Sequence, residues 1–296
     1  KGFFSDDCGM PMTFSDWKRV SDELIAYRGK TGISPFIMLW GGEPLSAPFF
    51  DELALYLKEN GFTLGMVTNG TMLAEHKSVV EKCIDKLYVS IDGPRDIHDE
   101  IRGEGVFDIV TGNLKSLSGC RKIVMSVVTS KLACRLDEFL DEMNKIGIDE
   151  LYLQDMIGLT SAEVRDYKQW MKSAFNIDAV DINSWENNEL EIFDTELLLE
   201  KTDIKKYGFK ISCKRHRRET DEYCMSSFKH AHIAWNGNVL YCTDFYDFSA
   251  GNVKENSLEK IFFNDMSEKY REEIMSGKCA ACKNCSWREM RNYSEG

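Results

Sequence analysis

The sequence predicts an α/β fold built on a parallel sheet, because apolar runs alternate with amphipathic helical segments over the first 160 residues. Three successive apolar runs also end in small polar residues, namely Gly41-Gly42-Glu43-Pro44, Thr68-Asn69-Gly70-Thr71 and Ser90-Ile91-Asp92-Gly93-Pro94. Polar carboxyl ends on consecutive strands are typical of the ligand-binding face of a parallel βα barrel. Five strands are counted before residue 160, which is too few to close an eight-stranded barrel.

The elements of this first part follow from the spacing of their apolar residues. A helix is expected at 13–29 and a buried strand at 36–40. Ser46 is expected to cap the next helix and Gly61 to end it. Strands and helices then alternate in the order strand 63–67, helix 72–83, strand 87–91, helix 107–117, strand 122–129, helix 136–146 and strand 151–155.

The pattern changes after residue 160. Two helices separated by a polar stretch are predicted at 161–175 and 194–207. The dipeptide Asn236-Gly237 between two alternating runs predicts a β-hairpin over 232–241, and a helix is expected at 257–275. The predicted organisation is therefore a barrel domain at 1–160, a helical connection at 161–215 and a small domain at 216–296.

Composition excludes several classes of partner. The chain has 296 residues and a mass of 34.0 kDa, which suits one large domain and a smaller one. A net charge of −12 argues against nucleic acid and against an anionic membrane surface. No apolar stretch approaches the ~20 residues of a membrane span, and there is no signal peptide. The sequence thus predicts a cytoplasmic protein.

The ten cysteines are unevenly placed. Cys83, Cys120 and Cys134 are isolated and are expected to be core thiols. Cys224 and Cys242 flank the hairpin, and a hairpin holds its two ends side by side. Two thiolates there, joined by two from the short series Cys279, Cys282 and Cys285, would make a four-thiolate cage. Such a cage suits zinc or an iron–sulfur cluster, and spacing alone leaves both open.

The three strand-end segments, in this order, resemble those of the radical S-adenosylmethionine (radical SAM) enzymes. The later series Cys-x12-Gly-x4-Cys, followed by Cys-x2-Cys, resembles the SPASM/twitch extension of that family. Residues 90–98 are similar to the anaerobic sulfatase-maturating, peptide-modifying branch. The resemblance implies a partial (β/α)6 TIM-like barrel, with its first strand missing from this chain, and then a small α+β SPASM/twitch domain with a β-hairpin.

The resemblance also assigns site residues. S-adenosylmethionine would be bound by Gly41, Gly42, Glu43, Pro44, Asn69, Ser90, Asp92 and Arg102. An auxiliary cluster would be bound by thiolates among Cys224, Cys242, Cys279, Cys282 and Cys285. Asp244 is the candidate catalytic base, although Thr243 separates it from the hairpin cysteine.

Two of these assignments have alternatives in the sequence. Arg102 would bind the carboxylate of S-adenosylmethionine, or it would form a surface ion pair with Asp99 or Glu100. Asp92 would contact the ribose, or it would cap the following turn.

The implied activity is hydrogen abstraction by a 5′-deoxyadenosyl radical from a peptide, a protein side chain or a small molecule. The implied cofactors are S-adenosylmethionine and one auxiliary [4Fe–4S] cluster, and the implied electron donor is a flavodoxin- or ferredoxin-like protein. The alternative is a non-catalytic barrel that binds a ligand and keeps a structural four-cysteine site for zinc or iron–sulfur.

One expected feature of the family is missing from the sequence. The Cys-x3-Cys-x2-Cys loop that holds the radical-generating cluster is absent, since Cys8 is followed next by Cys83. We expect that loop, and a second cluster with it, in a segment upstream of Lys1, and we expect residues 1–296 alone to be inactive.

Overall fold

The computed structural model describes residues 10–189, 193, 195–214, 223–283 and 285. The chain forms two compact units. The first is drawn from Lys1–Glu23, Ile157–Leu190 and His216–Gly296, and the second from Leu24–Met156 and Glu191–Arg215. Cys8 lies outside the described residues, as do residues 215–218 of the basic segment Lys214-Arg215-His216-Arg217-Arg218. No helix within the described ranges is long and apolar enough to cross a membrane.

The helices alternate with strands through the second unit and cluster in the first. In chain order they are α1 (Phe14–Thr31), α2 (Phe50–Glu59), α3 (Lys77–Cys83), α4 (Arg95–Arg102), α5 (Val106–Ser116), α6 (Ser130–Cys134), α7 (Leu136–Ile146), α8 (Ser161–Phe175), α9 (Thr195–Glu200), α10 (Ser226–Lys229), α11 (Leu258–Phe262), α12 (Asp265–Met275) and α13 (Ala280–Lys283). Three short 3₁₀ turns lie at Pro44–Ser46, Asp181–Trp185 and Ile204–Lys206.

The second unit contains a parallel sheet of six strands in sequential order. They are β1 (Ile37–Leu39), β2 (Leu64–Thr68), β3 (Lys86–Ser90), β4 (Arg121–Val128), β5 (Glu150–Asp155) and β6 (Lys210–Lys214). Every neighbouring pair is parallel, so the predicted α/β class and the five strands before residue 160 are confirmed. The sixth strand is a correction, because only helices were expected between 161 and 215.

The core of this unit lies on the helix-covered face of the sheet. Alternate strand residues point to one face, and on the covered face Leu87, Val89, Val124, Leu151 and Leu153 have no exposed surface. The helices contribute a matching set of buried side chains, which includes Leu53, Ala54, Leu57, Val110, Leu114, Phe139, Leu140 and Met143. Burying this apolar area is the main force that holds the unit together.

The strand at 36–40 is shorter and more exposed than predicted. Phe36, Met38 and Trp40 keep 44%, 37% and 48% of their surface exposed. Among the described strands β1 pairs with β2 alone, so it forms an edge of the sheet. An apolar run therefore predicted the strand correctly but not its burial.

Three local predictions are wrong in detail. Ser46 does not cap a helix, because it ends the 3₁₀ turn and its hydroxyl donates to the carbonyl of Glu43, while α2 begins only at Phe50. Residues 72–76 form turns rather than the start of α3. Cys134 is exposed, whereas Cys83 and Cys120 are buried as expected.

The first unit contains a small antiparallel sheet of three strands, β7 (His232–Ile233), β8 (Asn238–Leu240) and β9 (Gly251–Asn252). The predicted hairpin is confirmed, and its turn places Gly237 at φ +93, where a β-carbon would lie 2.7 Å from the amide oxygen of Asn252. The core of the unit is aromatic and is built from Tyr167, Trp170, Tyr241, Phe245, Phe248 and Tyr270.

The partly buried carboxylate of Asp247 connects one loop of this unit to another. The backbone amides of Val180 and Asp181 donate to Oδ1 of Asp247 at 2.6 and 2.8 Å, and that of Ile182 donates to Oδ2 at 3.1 Å. These amides belong to the start of the 3₁₀ turn and have no carbonyl partner within it, so the carboxylate satisfies them.

We expect Asp247→Ala to lower the free energy of unfolding by about 2–3 kcal/mol, because three hydrogen bonds to a charged group are lost together. Chemical denaturation would measure the change. Asp178→Ala is the matched control, since Asp178 forms only an exposed ion pair with Lys172 and its loss should change little. Equal stability of Asp247→Ala and the wild type would contradict the proposed fastening.

Candidate cofactor and metal sites

The turn after β1 has an open backbone. Gly41 and Gly42 adopt φ values of +106 and +58, which side chains rarely accept. A β-carbon built at either glycine would meet no atom within 4 Å. The turn therefore presents bare peptide groups to free space, and a ligand can approach them closely.

Glu43 joins this turn to the end of β2. Its carboxylate accepts hydrogen bonds from the Thr68 hydroxyl at 2.7 Å, from the Asn69 amide at 2.8 Å and from the Leu45 amide at 3.2 Å. A carboxylate has about four acceptor positions, so one remains for an ammonium group. The sequence predicted that Glu43 would contact an ammonium group, but it did not predict the three hydrogen bonds that orient the Glu43 side chain.

The loop after β2 is also shaped by its own side chains. The amide oxygen of Asn69 accepts from the Thr71 amide at 2.9 Å and from the Thr71 hydroxyl at 2.7 Å. The side chain of Asn113 on α5 donates to the carbonyl of Gly70 at 2.9 Å. The side-chain oxygen of Asn69 thus supports the loop, and its predicted contact with a cofactor stays a prediction.

Asp92 and Arg102, both predicted site residues, are paired with each other. Arg102 Nε donates to Asp92 Oδ2 at 2.6 Å, and the Asp92 side chain is only 8% exposed. The two alternative partners bind other groups instead of Arg102. The carboxylate of Asp99 accepts backbone amides, and Glu100 forms an ion pair with Lys131. The bond uses only Nε, so the two terminal nitrogens of the half-exposed guanidinium are left to bind a carboxylate.

On the side of α4, Asp92 contacts a buried histidine. The backbone amide of Asp92 donates to Nδ1 of His98, whose side chain is fully buried. Burial lowers the pKa of His98, so the ring is neutral at pH 7 and carries its proton on Nε2. Ser90 ends β3 beside these residues and is half-buried. Because the side chain of Asp92 is bound to Arg102, it does not cap the following turn.

The predicted metal ligands lie in the first unit, and all five are free thiols. Cys279 is buried and the other four are partly buried. The sulfur atoms of Cys282 and Cys279 are 3.3 Å apart. Cys242 lies two residues after Leu240, the last residue of β8.

Electrostatics show that these thiols share one environment. Burial raises the pKa of the Cys242 thiol, and the nearby Asp244 and Cys282 raise it further. Burial also raises the pKa of Cys285, with further increases from Cys242, Asp244, Cys282 and Cys224. Deprotonating several thiols here is unfavourable unless a cation binds, and such coupling is typical of metal sites.

The described thiols are not arranged around a single metal ion. Within the described residues, no three His, Cys, Asp or Glu side chains are spaced to hold one metal ion. Zinc draws four ligands to about 2.0–2.3 Å from a common centre, whereas a cluster of irons and sulfides spreads its thiolates around several metals.

Asp244, the predicted base, lies among these thiols. It is 7% exposed, and its Oδ2 atom is 4.0 Å from the sulfur of Cys285. The structure therefore places Asp244 in the cysteine site, and its predicted catalytic role stays a prediction.

Two family models match the chain. Residues 8–129 match the radical SAM superfamily, and residues 224–286 match the SPASM iron–sulfur cluster-binding domain. The chain is a radical SAM protein with a SPASM domain. Its cofactor classes are therefore S-adenosylmethionine and iron–sulfur clusters, and the zinc alternative is not supported.

Two curated relatives agree with the radical SAM assignment. The "AdoMet-dependent heme synthase" of Methanosarcina barkeri is 26% identical, and the match covers 92% of this chain and 80% of the relative. The "Tungsten-containing aldehyde ferredoxin oxidoreductase cofactor-modifying protein" of Pyrococcus furiosus is 24% identical, with 84% of this chain and 72% of that protein covered.

A solved structure shows the same fold. SuiB of Streptococcus suis superposes with a TM-score of 0.63 at 15% identity over 92% of this chain. This chain spans 65% of SuiB, which has also been solved with S-adenosylmethionine and with its precursor peptide SuiA. The partial barrel with a small C-terminal α+β domain, predicted from the radical SAM resemblance, is confirmed as the fold.

Sequence reasoning missed two residues that organise the turns after β1 and β2. Thr68 holds Glu43, and its position at the end of β2 among small polar residues was an available signal. Asn113 lies on α5 and reaches back to the loop at Gly70. No local pattern marks such a contact, because it depends on how α5 packs beside β2.

Proposed function

We propose that this chain binds S-adenosylmethionine at the carboxyl ends of β1 to β3 and forms the S-adenosylmethionine-binding part of a radical SAM enzyme. Bound and reduced by one electron, S-adenosylmethionine would supply methionine and a 5′-deoxyadenosyl radical, which takes a hydrogen atom from a substrate carbon. The observation that carries this proposal is that predicted ligand-binding residues are joined by direct hydrogen bonds: Glu43 after β1 with Asn69 after β2, and Asp92 after β3 with Arg102 at the end of α4.

The roles of these residues follow from their geometry. The bare peptide groups of Gly41 and Gly42 would receive the ammonium end of the ligand, with the remaining acceptor position of Glu43. Arg102, held through Nε by Asp92, would bind the ligand carboxylate with its terminal nitrogens. Asp92 is thus a positioning residue, since its short bond restricts the rotamers of a long, flexible side chain.

The SPASM domain would hold one auxiliary [4Fe–4S] cluster on Cys224, Cys242 and two of the three later cysteines. The observation in support is the shared environment of their thiols. The electron donor would be a flavodoxin- or ferredoxin-like protein. For the substrate we propose a peptide or protein side chain, or a small molecule, and the structural likeness to SuiB, which binds a precursor peptide, supports the peptide.

The proposal is tested by calorimetric titration of the protein with S-adenosylmethionine. Arg102→Ala should weaken binding on the order of tenfold or more, because one charge-assisted contact is worth about 1.5–3 kcal/mol. Arg95→Ala is the matched control, since Arg95 lies on the same helix but pairs with Asp108 at the surface. Failure of the wild type to bind, or equal affinity of the Arg102 and Arg95 variants, would count against the site.

A further inference from the structure

An arginine is buried among aromatic side chains of the SPASM domain. Arg271, on α12, is only 9% exposed, and a guanidinium stays charged in proteins. Within the described residues it is held by carbonyl oxygens and ring faces rather than by a carboxylate. Burying a charge without an ion-pair partner is unfavourable. The contacts that offset this cost hold the side chain in one position.

The contacts of Arg271 connect the segment after Cys224 with the segment before Cys242. Its Nε atom donates to the carbonyl of Ser227 at 2.9 Å, and Ser227 lies three residues after Cys224. The guanidinium carbon also lies 5.3 Å from the ring centre of Tyr241, which directly precedes Cys242. A cation within about 6 Å of a ring face is attracted to the π electrons. One side chain therefore contacts the neighbours of both hairpin cysteines.

A second hydrogen bond fixes the orientation of the guanidinium. Its Nη2 atom donates to the carbonyl of Phe262 at 2.7 Å, and the guanidinium carbon lies 4.4 Å from the centre of the Phe262 ring. Two carbonyl groups and stacked rings suit a planar guanidinium, and an ammonium group does not reproduce this geometry. Helix α12, which carries Arg271, ends at Met275, four residues before Cys279. Arg271 thus links all three cysteine-bearing segments.

The two hairpin segments are also bonded directly to each other. The hydroxyl of Ser226 donates to the carbonyl of Tyr241 at 2.7 Å. The hydroxyl of Tyr241 donates to Oγ of Ser267 on α12 at 2.6 Å, and Ser267 donates to the carbonyl of Ile261 at 2.6 Å. The segments that bear Cys224 and Cys242 are therefore connected by contacts that need no metal.

We propose that Arg271 is a positioning residue for the auxiliary cluster and holds Cys224 and Cys242 at the separation that the cluster requires. This inference rests on the proposed cluster in the SPASM domain. Thiolates that are held in place before the metal arrives lose less conformational freedom when they bind it. Both the assembly and the retention of the cluster should therefore depend on Arg271.

The test measures how fast a ferrous chelator removes iron from the anaerobically reconstituted chain. Arg271→Met keeps an unbranched side chain but removes the donors to Ser227 and Phe262. Iron should then be lost about tenfold faster or more, the effect expected when a residue that orients metal ligands is removed. Arg271→Lys keeps the charge and should also lose iron faster than the wild type, because an ammonium group does not replace the planar guanidinium. Ser226→Ala, a milder change, should act in the same direction.

Asp247→Ala is the control that separates positioning from stability. It is expected to destabilise the same unit, but it does so by releasing the backbone amides of Val180, Asp181 and Ile182. It should therefore lower the free energy of unfolding and still lose iron at the wild-type rate.

Each outcome decides something different. Iron loss at the wild-type rate in Arg271→Met or in Arg271→Lys would overturn the inference while leaving the cluster in place. The same acceleration in Asp247→Ala as in Arg271→Met would show an effect of stability alone and would also overturn it. If Arg271→Met does not fold, a wild-type rate in Ser226→Ala overturns it. Failure of the wild type to take up iron would instead refute the proposed cluster.

Discussion

Cys242→Ser should abolish assembly of the auxiliary cluster. The wild-type chain, reconstituted anaerobically with iron and sulfide, should bind about four irons at this site, and the variant should bind none there. Cys242 lies two residues after β8, so the hairpin sets its position. Serine keeps the shape of the side chain but offers a hydroxyl, which is a poor ligand for iron in place of a thiolate.

Iron and sulfide analysis with visible absorption would measure this effect. Cys134→Ser is the matched control, because Cys134 is an exposed thiol in the other unit and should be dispensable for loading. Stoichiometric zinc in anaerobically purified protein, with no uptake of iron, would refute the cluster. Equal iron in the Cys242 and Cys134 variants would show that the hairpin does not supply a ligand.

The ligand-binding end of the sheet was predictable because it depends on local sequence. Each of β1, β2 and β3 is an apolar run that ends in glycine and small polar residues, and parallel strands bring such ends to one edge. The hairpin was predictable for the same reason, since Asn236-Gly237 specifies its turn. These features need no knowledge of distant contacts.

The remaining features depend on packing that a local pattern does not record. Strand β6 has the sequence Lys-Ile-Ser-Cys-Lys, whose single strongly apolar residue is Ile211, and it becomes a strand by pairing with β5. Helix α4 has only Ile97 and Ile101 as apolar residues, yet it carries Arg102 to Asp92. That pairing was not predicted, because acidic residues closer in sequence offered equally plausible partners.

The sequence also did not predict that the candidate catalytic residue Asp244 is buried. Asp244 was identified by its distance from a hairpin cysteine, and a distance along the chain does not say which way a carboxylate points. In the folded domain its Oδ2 lies beside Cys285, which is 41 residues away in sequence. The contact exists because the final cysteines return to the hairpin, and only the tertiary structure brings them there.

The double variant Gly41→Ala/Gly42→Ala should lose detectable binding of S-adenosylmethionine. Both glycines have positive φ, and the space around their α-carbons is open, so each new methyl group would occupy the region where we place the ammonium end of the ligand. A steric conflict of this kind costs about 1–3 kcal/mol for each methyl group, and every 1.4 kcal/mol is tenfold in affinity. Together the two changes should cost about 2–6 kcal/mol, so binding should weaken about thirtyfold or more.

The control separates ligand clash from backbone strain. Gly147 and Gly277 also have positive φ, +77 and +69, and a β-carbon there would meet no atom within 4 Å. Gly147→Ala/Gly277→Ala therefore pays a similar conformational cost, but both positions follow helices remote in sequence from the turn after β1. It should bind S-adenosylmethionine like the wild type while melting at a lower temperature. If both double variants lose affinity equally, strain rather than occupancy of the turn explains the loss, and the assignment of Gly41 and Gly42 fails.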